Sequence, residues 1–168
     1  MQVPGVAPME PARRVREAGR SGDLEGARQL ALALVAEHPG HAELQYEAAC
    51  AHDRLGLEAQ AVPFYETALA LGLPDEHLRG AYLGLGSTLR TLGRYEQSEA
   101  TLRAGLARFE DAAELRTFLA MTLHNLGRSR EAVEMLLTVV ADTSADAHVA
   151  AYREAIRFYA QDVERTWT

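Results

Sequence analysis

Cys50, His52 and Asp53 stand close together in the sequence and are residue types from which a nucleophile and its base are built. The residues around them predict a helix, in which side chains two positions apart point well away from each other. Cys50 and His52 should therefore not meet, and we interpret Cys50 as a half-buried structural cysteine. An enzyme that uses Cys50 or a histidine-bound metal is kept as an alternative hypothesis.

The histidines show neither the i,i+4 pairing nor the carboxylate frame typical of metal sites. They are His38, His41, His52, His77, His124 and His148. Gly84 and Gly86 resemble the start of a dinucleotide-binding loop, but the third glycine and the preceding strand of that motif are absent. We therefore predict no catalytic residue, no metal site and no cofactor.

The charge balance argues against nucleic acid as the main partner. The chain carries a net charge of −7, and all 17 of its basic residues are arginine, whereas phosphate binding needs an excess of basic surface. The single cysteine, Cys50, cannot form an internal disulfide, which fits a reducing compartment. The sequence shows no secretory signal and no apolar run of about 18 residues, so we expect a cytoplasmic protein without a membrane span.

The elements that must position any binding residue are short amphipathic helices separated by glycine turns. Each turn glycine ends one helical segment, as a left-handed cap does: Gly22, Gly56, Gly93 and Gly127. Five residues after each glycine comes a small residue: Ala27, Ala61, Ser98 and Ala132. The intervals between these small residues are 34 (61 − 27), 37 (98 − 61) and 34 (132 − 98). The pattern predicts a repeated helical hairpin.

Gly86 lies inside a predicted helix, where glycine costs about 1 kcal/mol relative to alanine. A residue without a side chain at this position lets the two helices of its hairpin approach closely. We therefore predict a close helix contact at Gly86.

A period near 34 residues with a helix, a turn and a helix is the tetratricopeptide signature, and the chain resembles that family over about residues 8–145. Matching residues include Tyr82, Leu85, Gly86, Gly93, Tyr95 and Ser98 in the third unit. The family's early Trp is absent from every unit, and Val15 replaces a small residue in the first. Residues 41–160 also resemble a small bacterial group of short tetratricopeptide proteins whose role is not established.

The resemblance implies an all-α, right-handed α-solenoid of four helical hairpins plus a C-terminal capping helix. We expect a flexible tail over 1–8 and a single domain over 9–165. The repeats are expected at about 8–41, 42–75, 79–112 and 113–146, and the capping helix at about 146–165. We expect Ala151, Ala155, Ile156 and Tyr159 of that helix to face the fourth unit, whereas Trp167 has no predicted role.

In this family the first helix of each unit lines a concave groove. The residues at the equivalent repeat positions of this chain are the groove candidates: Arg16, Arg20, Tyr46, Cys50, Asp53, Arg54, Leu83, Ser87, Arg90, Met121, His124 and Asn125. Arg20, Arg54 and Arg90 recur once per unit, and such a row of guanidinium groups can bind carboxylates bidentately. The competing interpretation is that these arginines pair with Glu17, Asp53 and other acids of their own surface.

The resemblance implies a non-enzymatic protein–protein interaction scaffold that binds a peptide or helix in this groove, with an acidic partner as the candidate. The family's carboxylate clamp of Lys and Asn is not matched here, so its specificity is not carried over. The alternative is a self-associating structural module, in which the groove or a terminal helix forms the interface of a homo-oligomer.

Overall fold

The computed structural model describes residues 10–166, and every regular element within that range is a helix. The helices are α1 (Pro11–Arg20), α2 (Leu24–Glu37), α3 (Ala42–Asp53), α4 (Glu58–Leu71), α5 (Asp75–Thr91), α6 (Tyr95–Arg108), α7 (Ala113–Asn125), α8 (Ser129–Thr143), α9 (Ala147–Ala151) and α10 (Arg153–Tyr159). Consecutive helices pack in pairs, so the predicted all-α fold of helical hairpins is confirmed. The tail predicted over 1–8 and Trp167 lie outside the described residues.

The chain divides into two compact units, Met1–Ala81 and Tyr82–Thr168, with the boundary inside α5. Within the described residues, none of the helices combines the length and the apolar character needed to cross a bilayer.

The turn glycines adopt the conformation that the sequence predicts. Gly22, Gly56, Gly93 and Gly127 have φ of +93°, +70°, +73° and +79°, the left-handed region in which a side chain is strained. Each helix therefore ends two or three residues before its glycine, and the next helix begins two residues after it. These turns define the hairpins that position the candidate residues.

The core of the first unit forms where α1, α2 and α3 meet. Its buried residues are Ala12, Val15, Ala31, Leu34, Leu44 and Ala48. Val15 is 2% exposed, so the larger side chain that departs from the family pattern is accommodated in the core.

The core of the second unit confirms the close approach predicted at Gly86. A methyl group at Gly86 would lie 2.5 Å from Cγ of Leu102, and Leu102 is fully buried. Beside it, the buried hydroxyl of Ser98 donates a hydrogen bond to the carbonyl of Gly86 at 2.7 Å. Ser98 Oγ also lies 3.0 Å from Thr122 Oγ1 on α7, which links the α5–α6 hairpin to the next one.

The segment predicted as one capping helix over 146–165 forms two short helices, α9 and α10, that are separated at Tyr152. Neither helix contains a buried residue. Ala151, Ala155 and Tyr159 are exposed, and Ile156 is half-buried. The cap thus forms two helices where one was predicted, and α10 packs against α8 of the fourth unit as predicted for the cap. Most helical stability in proteins comes from packing an apolar face, and this segment buries too little of one.

Candidate functional site

The first unit contains a cavity of about 260 Å³ that gathers several of the predicted binding residues. We call it the basic cavity, and it is lined by Arg16, Arg20, Tyr46, Glu47, Cys50, Arg54 and His77. The arginines come from α1 and from the end of α3, and His77 comes from α5. Three guanidinium groups face one carboxylate here, in a chain whose overall charge is negative.

Two helical glycines make room for the polar groups of this cavity. A methyl group at Gly19 of α1 would lie 2.7 Å from Nη1 of Arg54. A methyl group at Gly80 of α5 would lie 2.5 Å from the hydroxyl of Tyr46. A side chain at Gly19 would therefore displace the guanidinium of Arg54, and a side chain at Gly80 would displace the hydroxyl of Tyr46. The sequence analysis did not identify these two glycines.

The arginines of the basic cavity differ in how they are neutralised. Arg16 donates from Nε to Oε1 of Glu47 at 2.7 Å. Burial lowers the pKa of Arg16, but the hydrogen bond and the charge of Glu47 raise it by more, so its pKa ends above the ordinary value. Arg20 and Arg54 form no ion pair with any residue in the range 10–166.

The two acids proposed as partners for the arginine row bind elsewhere. Glu17 pairs with Arg13 at 2.9 Å, and Asp53 accepts a hydrogen bond from the hydroxyl of Tyr65 at 2.7 Å. Self-pairing therefore accounts for Arg16, through Glu47, but not for Arg20 or Arg54. Two guanidinium groups are left available in one cavity.

Cys50 lies in an environment that suppresses its reactivity. Its Sγ is 3.8 Å from the hydroxyl of Tyr65. Burial, together with the charge of Glu47, raises the pKa of Cys50 to about 11, so the thiol stays protonated at neutral pH. His52 has different partners, since its Nδ1 lies 2.7 Å from the carbonyl of Ala48 and its ring stacks on Phe64. The two residues do not form a nucleophile and base.

Burial also raises the pKa of Tyr46 and of Tyr65 well above the ordinary value of tyrosine. Both phenols therefore remain neutral hydrogen-bonding groups. Their rings lie 6.2 Å apart, centroid to centroid. Of the two, Tyr46 lines the basic cavity together with the arginines.

The second unit holds a different pocket, of about 230 Å³, which we call the apolar pocket. It is lined by Arg90, Ala120, Met121, His124, Ser129, Ala132, Val133 and Leu136. The predicted residues Arg90, Met121 and His124 meet here, whereas Arg20 and Arg54 line the basic cavity. Nε of Arg90 is buried and makes no hydrogen bond to any described residue.

Three further groove candidates line neither cavity. Leu83 is half-buried against the core of the second unit. Ser87 donates its hydroxyl proton to the carbonyl of Gly84 at 2.9 Å, and Asn125 is the exposed last residue of α7. Asp53, which binds Tyr65, is likewise absent from the lining of the basic cavity.

Sequence reasoning missed Glu47 and His77. Glu47 could have been predicted from the sequence, because it shares one face of α3 with two predicted residues, Cys50 and Arg54, at helical spacing. No local sequence pattern points to His77, since it lies 61 positions after Arg16, its hydrogen-bond partner. Only the packing of α5 near α1 and α3 brings it to the cavity.

A larger hollow of about 510 Å³ lies in the second unit. Its charges neutralise each other: Nη2 of Arg103 lies 3.1 Å from Glu131, and Nη1 of Arg116 lies 3.7 Å from Asp142. Across the range 10–166, no group of three His, Cys, Asp or Glu side chains is arranged to hold a metal ion. The basic cavity is therefore the stronger candidate for a binding site.

Consecutive helical hairpins with a side-chain-lined cavity define the class of the protein as a helical repeat protein. The family model described as tetratrico peptide repeat matches residues 42–163, more than half of the chain. The chain belongs to the tetratricopeptide repeat family, whose fold supports protein–protein interaction modules. No curated protein sequence matches the chain.

Solved structures share this fold. MamA is 18% identical with a TM-score of 0.71, and the match covers 88% of each chain. YrrB, described as a TPR protein with an unusual peptide-binding site, is 20% identical with a TM-score of 0.68, over 90% of this chain and 75% of its own. TTC0263, a thermophilic TPR protein of Thermus thermophilus, is 21% identical with a TM-score of 0.66, over 90% and 84%. At these identities the likeness concerns the fold alone.

Proposed function

We propose that this protein is a non-enzymatic interaction module that binds an acidic peptide or helix of a partner protein in the groove of its first helices, through the basic cavity. The observation that carries the proposal is the pair Arg20 and Arg54, which share one cavity without an ion-pair partner among residues 10–166. Guanidinium groups bind carboxylates with charge-assisted, often bidentate hydrogen bonds. Because the chain is acidic overall, this local excess of positive charge calls for a ligand.

The neighbouring groups fit a peptide ligand. Tyr46 offers a half-buried phenol and an aromatic ring in the same cavity as the arginines, and aromatic residues are enriched where proteins bind one another. The cavity volume of about 260 Å³ suits one or two acidic side chains, or a peptide C-terminus, rather than a large cofactor. The peptide-binding site named for YrrB supports the same use of this fold.

The absence of catalysis is part of the proposal. Cys50, the one nucleophilic thiol, has its pKa raised to about 11 and contacts a phenol instead of a base. We also propose a cytoplasmic location, because the lone thiol of Cys50 has no second cysteine with which to form an internal disulfide.

A short oligo-aspartate peptide with a pH-insensitive rhodamine label tests the proposal by fluorescence anisotropy. We expect the native protein to bind it and to bind less tightly as salt rises, since salt screens exposed charges. The variant Arg20→Gln with Arg54→Gln should bind about tenfold more weakly, the effect of losing two exposed charge-assisted contacts. Circular dichroism should show unchanged helicity.

The matched control is Arg13→Gln with Arg28→Gln. It removes the same two charges from the same unit, but these arginines pair with Glu17 and Glu25 outside the cavity. We expect its affinity to stay within about twofold of the native value. Equal losses in both double variants would mean that net charge alone attracts the peptide, and the proposal would then fail.

A self-associating module is the second candidate function. The observation that favours it is a group of exposed aromatic side chains at the C-terminal end of the second unit, namely Tyr152 at 68%, Phe158 at 50% and Tyr159 at 54%. Light scattering should then give a mass that rises with concentration, and Tyr152→Ser with Tyr159→Ser should return it to that of a monomer. A constant monomeric mass would eliminate this candidate.

A further inference from the structure

His77 lies at the rim of the basic cavity, where it contacts groups of both charges. Its Nε2 is 3.3 Å from Nη2 of Arg16, 3.4 Å from Oε2 of Glu43 and 3.6 Å from Oε1 of Glu76. Its ring lies 5.6 Å from that of Tyr46. One nitrogen atom is therefore shared between a positive donor and two carboxylates.

The charge of His77 determines which of these contacts is favourable. In the neutral imidazole with its proton on Nδ1, Nε2 accepts a hydrogen bond from Nη2 of Arg16. In the protonated imidazole, Nε2 is a donor and can no longer accept from Arg16. The like charges of Arg16 and His77 then repel each other, and Nε2 donates to Glu43 or Glu76.

Resting on the proposed function, we propose that His77 makes the basic cavity pH-sensitive: protonation of His77 releases Nη2 of Arg16 from the imidazole and makes it available to an anionic ligand. Nε of Arg16 stays bound to Glu47 at 2.7 Å, so the guanidinium keeps its place at the cavity when Nη2 is released. Acidification thus adds a donor to the site and strengthens the binding of an acidic peptide.

The groups around His77 support this response from each helix that faces it. Helix α1 presents Arg16, α3 presents Glu43, Glu47 and Tyr46, and α5 presents Glu76. Glu43 and Glu76 stabilise the protonated imidazole, while Glu47 is engaged by Arg16. Tyr46 is held neutral by burial and adds no charge. Arg20 and Arg54, which line the same cavity, supply its remaining positive charges.

The oligo-aspartate peptide provides the test, because its carboxyl groups, with a pKa of about 3.9, stay ionised across the range in which histidine changes charge. We expect the affinity of the native protein to rise about threefold to tenfold between about pH 8 and about pH 5.5, the value of one added exposed contact. His77→Gln keeps a neutral acceptor for Arg16 and should bind with the same affinity at both pH values.

The control is His41→Gln, which removes a histidine of the same unit that contacts Glu10 outside the basic cavity. It should keep the native rise, which separates the role of His77 from the general gain of positive charge on acidification. The same rise in His77→Gln would overturn the proposal while leaving the peptide-binding function intact. Absence of binding at both pH values in the native protein would overturn both.

A measurement without ligand tests the same step. The NMR signal of the Arg16 Nη protons should shift with the midpoint at which the His77 ring titrates, because the hydrogen bond between them is lost there. In His77→Gln this shift should disappear. An Arg16 signal that does not follow the His77 titration would overturn the proposal whatever the binding data show.

Discussion

Glycine inside a helix serves different purposes in the two units. Gly19 of the first unit lies beneath the guanidinium of Arg54, so that a methyl group at Gly19 would be 2.7 Å from Nη1 of Arg54. Gly86 of the second unit lies beneath the fully buried Leu102, so that a methyl group at Gly86 would be 2.5 Å from Cγ of Leu102. In the first case the missing side chain positions a charged group at a cavity, and in the second it packs two helices together.

The arginines of the two units also differ, in whether they form ion pairs with acids of the same unit. In the second unit, Arg103 and Arg128 both pair with Glu99 and with Glu131, at distances of 2.6 to 3.1 Å. In the first unit, Arg20 and Arg54 face a shared cavity without an ion pair to any residue in 10–166. One hairpin architecture therefore carries arginines that are neutralised internally in the second unit and arginines that face an open cavity in the first.

The largest effect on stability is expected from Gly86→Ala. The added methyl group overlaps Leu102, which is fully buried, and overpacking of a core costs about 1–3 kcal/mol. The better helix propensity of alanine offsets part of this, so we expect a net loss of about 1–2 kcal/mol in the free energy of unfolding. Urea unfolding followed by circular dichroism measures it, and an increase in stability would show that Leu102 can move aside.

Gly19→Ala should act in the opposite direction. Its methyl group meets the flexible end of Arg54, which can move into solvent, so the helix propensity of alanine prevails and adds about 0.5–1 kcal/mol to the free energy of unfolding. Binding of the oligo-aspartate peptide should nevertheless weaken, because Arg54 is displaced from the cavity. A variant that is more stable and binds equally well would show that Gly19 is not needed to position Arg54 at the cavity.

The smallest effect is expected from Arg128→Gln in the second unit. Arg128 is 43% exposed and pairs with Glu99 and Glu131, and exposed ion pairs contribute little to stability. The urea midpoint and the peptide affinity should both stay at their native values. A clear loss of peptide affinity would show that the neutralised arginines of the second unit also take part in binding.

The hairpins could be predicted because their signals are local. A left-handed turn at Gly93 depends only on that residue and its neighbours, and the close contact at Gly86 followed from the cost of glycine in a helix. The break between α9 and α10 could not be predicted, because it depends on how little of that segment is buried. Local sequence there is as suitable for a helix as elsewhere.

The candidate site could be predicted in part. Repeat phase identified Arg16, Arg20, Tyr46, Cys50 and Arg54, which all line the basic cavity. The choice between free and self-paired arginines could not be made, because it depends on contacts such as that of Arg16 with Glu47, which are 31 positions apart in the chain.

The hydrogen bond between Arg16 and Glu47 joins a helix outside the family match to one inside it, because that match begins at residue 42. A fragment trimmed to 42–163 would keep everything by which the family is recognised, yet it would lose Arg16 and Arg20 and leave Glu47 without its counter-ion. The carboxylate of Glu47 would then face the single remaining guanidinium of Arg54, and the local excess of positive charge that is proposed to bind the peptide would be gone. Family membership and the proposed ligand recognition thus depend on different, only partly overlapping, stretches of the chain.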